Sequence, residues 1–146
     1  MDPITDDAVL IERMRSLFPH DLMAEVSFEI VEVSHEAGTV GLRFDVSERT
    51  ANQLGAVQGG VVAAMLDACI GIAGAVKSGG VLAMPLVELN TSFVRAVPPG
   101  ELFGRGEVVR LGRRVGFVEG TLTDAAGRVL ARGTGTAIPT PFPDTV

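Results

Sequence analysis

The chain has 146 residues, enough for one domain and too few for two comfortable ones. Apolar residues make up 47%, and its 18 Gly and 8 Pro follow no three-residue period, which excludes a disordered or collagen-like chain. Twelve Lys and Arg against 18 Asp and Glu leave a net charge of -6, without the basic block that gripping a nucleic-acid backbone requires.

One cysteine, Cys69, excludes an intramolecular disulfide framework and any multi-cysteine zinc site. Asp2, Asp6 and Asp7 occupy the start of the chain, where a signal peptide carries Lys or Arg. The longest apolar run, 61–76, is interrupted by Asp67 and is shorter than the roughly 20 residues that cross a bilayer. These features predict a cytoplasmic protein without a membrane partner.

In chain order, residues 5–18 predict a short helix, with Thr5 as cap, Asp6 and Asp7 in the first turn and Pro19 beyond its end. From Val26 the apolar period changes to two. Val26, Phe28 and Ile30 lie on one phase and Val31 and Val33 on the other, which predicts a bulged strand. Ser34 to Gly38 reads as a turn, and Val40, Leu42, Phe44 and Val46 complete a hairpin. Residues 60–77 predict one long helix. Its apolar residues cover every side of a helical wheel, so it is expected to be enclosed on all sides, with Ala and Gly filler allowing close approach of its neighbours. Strands follow at 87–93, 101–111, 114–123 and 128–138, separated by Pro98-Pro99-Gly100, Gly112-Arg113 and Asp124 to Gly127. Strands segregated from one buried helix predict an α+β fold, with a six-stranded, mainly antiparallel sheet curled around that helix.

Common catalytic signatures are absent: there is no G-x-S-x-G, no Walker A sequence, no H-E-x-x-H and no G-x-G-x-x-G opening a helix. His20 and His35 fall beside a proline and in a turn, poor positions for a general base. Asp67 is different. An ionised carboxylate in the middle of an apolar helix is costly unless paired, and desolvation should raise its pKa. The bland reading is an aspartate that bonds a loop backbone; the functional one is a perturbed acid in a site. Upstream, Asn52 to Gly60 leads into the helix start, where unpaired N–H groups and the dipole favour a bound oxygen and glycines permit its approach. Backbone N–H groups of this kind stabilise the oxyanion of acyl transfer. Glu88 and Asn90 alternate with Val87 and Leu89, which predicts that they face away from Asp67. Leu54, Met65 and Met84 are candidates for an acyl pocket, with core packing as the simpler role.

Asn52-x-x-Gly55-x-x-Gln58-Gly59-Gly60, followed by Asp67, by Val87-Glu88-Leu89-Asn90 and by Phe93-Val94-Arg95, resembles the PaaI-like hotdog thioesterases over about residues 24–138. That resemblance implies a hotdog fold and a homodimer whose sheets join edge to edge, often pairing again into a homotetramer. It further implies hydrolysis of an acyl-coenzyme A (acyl-CoA), with coenzyme A as part of the substrate and no separate cofactor. Carried over by position, the Gly59 N–H polarises the thioester carbonyl, Asn52 orients it, and Asp67 from the other protomer acts as general base or nucleophile. Gln58 stands where the family usually has His; it donates a hydrogen bond but carries no proton. Leu86 and Gly71 stand where some members place Ser or Thr. Gly60 completes the loop, and Arg95, Arg113 and Arg114 are the candidate phosphate contacts. The alternative within the same fold is a non-catalytic acyl-CoA-binding or sensing protein. A hotdog hydratase, which needs a His near the carboxylate, fits least.

Overall fold

The computed structural model describes residues 1–143. Helix α1, Asp7–Leu17, starts at Asp6, whose carboxylate accepts from the N–H groups of Ala8 and Val9; the cap is therefore one residue later than Thr5. Strands β1 (Asp21–Met23), β2 (Val26–Ser34) and β3 (Thr39–Val46) follow, then a 3-10 turn at Glu48–Thr50 and helix α2, Gly59–Lys77. The rest is β4 (Leu82–Ala83), β5 (Leu86–Phe93), β6 (Gly100–Leu111), β7 (Gly116–Thr123), β8 (Val129–Ala137) and β9 (Thr140–Pro141).

The main sheet runs β1-β2-β3-β6-β7-β8-β5, every pair antiparallel, while β4 and β9 form a separate ribbon. It has seven strands rather than six, because β1 adds a third to the expected hairpin. Three residues are too few to display an alternation in the sequence. The bulge expected in the first long strand lies between Ile30 and Glu32.

The sheet wraps α2 closely because its inner face is paved with glycine where the helix crosses. Gly104 and Gly106 face Cys69, Gly120 and Gly133 face Leu66, and Gly135 faces Ile70. A Cβ at Gly106 would overlap the Cys69 carbonyl, so sheet and helix touch there backbone to backbone. Around this contact Met65, Leu66, Ile70 and Ile72 are fully buried with Phe44, Leu42 and Leu102 from the sheet. Helix α1 is fixed to β2 by Arg15, whose guanidinium donates to the Ile30 carbonyl at 2.9 and 3.2 Å. Its first turn is held by Asp7, which accepts from the His35 N–H at 2.7 Å.

The helix is not enclosed on all sides. Gly60 and Asp67 are exposed, and Ala63, Ala64 and Gly71 are half-buried, forming one stripe at helical spacing. Core contacts hold the other faces, and none of the described residues of one copy covers this stripe. Strand β5 is the other uncovered element. It pairs with β8 on one edge only, and Val87 and Phe93 are 63% and 57% exposed. By length and composition α2 would also suit a membrane span, but it is the core helix of this sheet.

Adding one methyl at the tightest contact tests this packing. Gly106→Ala should cost about 3 kcal/mol and lower the thermal midpoint by roughly 6–12 °C, since neither backbone can give way. An unchanged midpoint would show that the helix is seated more loosely.

Candidate functional site

Asp67 opens on an apolar cavity of about 580 Å³ between α2, the end of α1, β2 and the segment leading into β5. Its carboxylate has no hydrogen-bond or ion-pair partner among the described residues, so it does not serve to tie down a loop. It is reachable by solvent in one copy of the chain, rather than buried as the apolar run suggested. Desolvation by the surrounding apolar groups nevertheless raises its pKa above the ordinary 3.8. Gly71 and Leu86 line the same cavity, so the two positions for which the resemblance implies a hydroxyl are apolar here. Met84 also lines it; Met65 is in the core and Leu54 is 90% exposed, away from it.

The other half of the expected constellation is at the helix start. Gln58 takes the N-cap position of α2 without a side-chain cap bond, and its side chain is exposed. Its carbonyl accepts from the Val61 and Val62 N–H groups, while those of Gly59 and Gly60 find no acceptor among the described residues. Gly59 and Asn52 border one cleft of about 380 Å³, with the Phe93 ring 3.3 Å from the position a Gly59 Cβ would take. The Asn52 Oδ1 accepts from the Leu54 and Ala56 N–H groups at 2.9 and 3.2 Å, so this side chain shapes the loop. Its Nδ2 is left over as a donor.

Arg95 borders the cleft of Asn52 and Gly59 while donating to the Val129 carbonyl. Arg128, which the sequence did not single out, shares the adjoining depression and is paired to Asp124 at 2.7 Å. Arg113 and Arg114 lie elsewhere, in the turn between β6 and β7. The register Gly116↔Ala137↔Leu86 places that turn at the Leu86 end of β5, and Phe93 and Arg95 are at the other end. Glu88 accepts from the Asn90 amide and from the Thr136 hydroxyl on the outer sheet face, away from Asp67 as their alternation predicted. His20 is exposed and His35 half-buried, and Cys69 is wholly buried, its thiol pushed far up by desolvation. Among the described residues no three His, Cys, Asp or Glu side chains cluster as metal ligands would.

Within one copy, then, the carboxylate and the N–H groups face different openings. Eight residues of helix separate Gly59 from Asp67, a rise of about 12 Å, too far for both to act on one carbonyl. The aromatic and proline walls of the Asp67 cavity come from Phe18, Phe28 and Pro141, distant in sequence and marked by no local motif.

An acid whose native pKa is raised makes the folded state more stable below the ordinary carboxylate range, and that stability is lost as pH rises through the native value. Asp67→Asn should therefore raise the thermal midpoint at pH 7, with the gain vanishing below about pH 4. A midpoint at pH 7 equal to or below that of the unmodified protein would contradict this environment.

Comparison with known proteins places the chain. The sequence model of the Thioesterase superfamily matches residues 54–131. A protein of Mycobacterium tuberculosis (strain ATCC 25618 / H37Rv) named "Putative esterase Rv1847" is 30% identical over 116 residues, 75% of this chain and 79% of that one. A crystal structure from Ralstonia eutropha JMP134, named "putative thioesterase, phenylacetic acid degradation-related protein", superposes with a TM-score of 0.71 at 32% identity, covering 76% of this chain and 83% of that one. A Streptococcus mutans UA159 protein solved bound to acetyl CoA shares the fold, with a TM-score of 0.69 at 22% identity over 79% and 90% of the two chains. With its curled antiparallel sheet and single central helix, the chain belongs to the thioesterase superfamily, as a PaaI-like hotdog-fold member.

Proposed function

We propose that this protein hydrolyses an acyl-CoA thioester at a site shared by two copies of the chain. The observation that carries the proposal is the placement of the two half-sites along one strand with an unpaired edge, β5. Leu86, at one end of β5, lines the cavity of Asp67, and Phe93, at the other end, lines the cleft of Gly59 and Asn52. A free, apolar strand edge is a template for pairing with another chain. Two-fold antiparallel pairing of β5 with its copy lays the Leu86 end of one protomer beside the Phe93 end of its partner. That arrangement covers the open stripe of α2 and carries each carboxylate toward the other protomer's N–H groups, spanning the 12 Å or so of helix that one copy cannot.

Chemically, the thioester carbonyl oxygen accepts the Gly59 N–H, with the Asn52 Nδ2 as a second donor. Asp67 of the other copy takes a proton from water, and the water oxygen adds to the carbonyl carbon. The oxyanion that forms is stabilised by the same donors. Its collapse breaks the C–S bond, and protonation of the departing thiolate leaves a free acid and coenzyme A. Direct attack by Asp67, giving an anhydride that water then opens, uses the same placement. Arg95 is positioned to meet phosphates of the coenzyme, and strand pairing brings Arg113 and Arg114 of the partner toward the same end. The coenzyme A part of the substrate is supported by the acetyl-CoA-bound Streptococcus mutans relative.

Asp67→Asn should lower thiol release from a panel of acyl-CoAs at least about 100-fold in kcat. Undiminished turnover would refute the assignment. The exposed Gln58 favours one second reading, binding without hydrolysis, and saturable acyl-CoA binding with no thiol released would select it. Light scattering at micromolar concentration should give at least twice 15.2 kDa, and a monomer would dismantle the shared site.

A further inference from the structure

The Asp67 cavity is large and nearly featureless in polarity. Phe18, Leu22, Phe28, Ile72, Met84 and Leu86 are among its lining residues, and its volume of about 580 Å³ far exceeds what an acetyl group fills. Cavities between about 300 and 1,000 Å³ commonly enclose ligands of drug size. Among the described residues three polar side chains line it: Asp21, Asp67 and Thr140. The Thr140 hydroxyl donates to the Ile138 carbonyl at 3.0 Å and is already engaged. Both others are carboxylates, and among the described residues no Lys, Arg, His, Asn, Gln or Tyr side chain lines the wall.

Such a lining selects against negative charge twice over. A carboxylate entering it loses water without gaining a donor, and it meets a second negative charge in Asp21 on the same wall. An alkyl or aryl group loses nothing and buries its surface. Resting on the reading of Asp67 as the thioester-cleaving carboxylate, we infer that this cavity holds the acyl group of a thioester that is uncharged and apolar to its end, and that Asp21 rejects acyl groups ending in a carboxylate. Asp21 sits on the exposed edge strand β1, where a charge change is tolerated by the fold.

The test uses two non-hydrolysable thioethers of coenzyme A with eight-carbon chains, one ending in a methyl group and one in a carboxylate. Calorimetric titration of the full chain should show the methyl-ended thioether binding at least about 30-fold more tightly, and Asp21→Lys should narrow that ratio to below about fivefold. Equal affinity, a preference for the carboxylate or binding of neither compound would overturn the inference. A ratio unchanged by Asp21→Lys would overturn the role of Asp21. Thiol release from the two corresponding thioesters, measured in parallel, reports separately on hydrolysis. Discrimination between the thioethers without thiol release would remove the hydrolytic reading and leave the cavity assignment standing; thiol release at equal rates, with equal thioether affinities, would do the reverse.

Discussion

The backbone contact between Gly106 and Cys69 governs the rest of this structure. A helix with side chains on both facing surfaces would ride about 10 Å above a sheet, whereas here glycine on β6, β7 and β8 lets α2 sink into the sheet's concavity. Depth on that side decides what happens on the other. Leu66, Cys69, Ile70 and Ala73 are consumed by the sheet, and Met65, Ile72 and Val76 by the remaining core. What is left facing outward is the row of small residues with Asp67 in its middle. The site is thus a consequence of packing: the same seating that stabilises the helix turns its one carboxylate out beside an apolar cavity.

Stability and the proposed function pull in opposite directions at that carboxylate. A charge with no partner, surrounded by apolar groups, is a cost to the folded chain, and alanine would serve the helix better. The exposed Phe93 and Val87 on an edge strand are a liability of the same kind, inviting association. In the proposed dimer, pairing of β5 with a second copy would resolve both at once: the edge would be satisfied and the carboxylate would acquire a substrate carbonyl to act on. Under that proposal oligomerisation and catalysis are one requirement, since the helix holds Gly59 and Asp67 rigidly two turns apart.

Most of the fold was legible because its long elements carry clean periods. The alternation of β2, the residues 60–77 and the four later strands were all set by side-chain patterning that local sequence displays. The short β1 and the β4–β9 ribbon were not, because two or three residues show no period and owe their pairing to neighbours far along the chain. At the site, Asp67 stood out by its contrast with Leu66 and Ala68, and Gly59-Gly60 by position at a helix start. The cavity walls, by contrast, assemble from Phe18, Phe28 and Pro141, whose proximity only the folded chain reveals. The expectation of a fully enclosed helix failed for an instructive reason. A helical wheel counts alanine and glycine as apolar filler, and the structure leaves that filler as the uncovered face. Asp21 carried no signal in the sequence, yet it shares the cavity of Asp67.

The claim that two copies build one site is tested most directly by mixing two separately inactivated chains. Asp67→Asn removes the carboxylate. Gly59→Pro removes the N–H donor at the first position of α2, where proline suits the helix and the preceding Gln58, at φ -53° and ψ 137°, already has the conformation that proline requires of its neighbour. Each variant alone should release no thiol from an acyl-CoA that the unmodified protein cleaves. Unfolding them together and refolding should yield mixed dimers, each with one intact site, and restore about a quarter of the unmodified activity for random two-fold assembly. Activity that stays at zero in verified mixed dimers, or that either variant retains alone, would contradict a site assembled from Gly59 of one protomer and Asp67 of its partner.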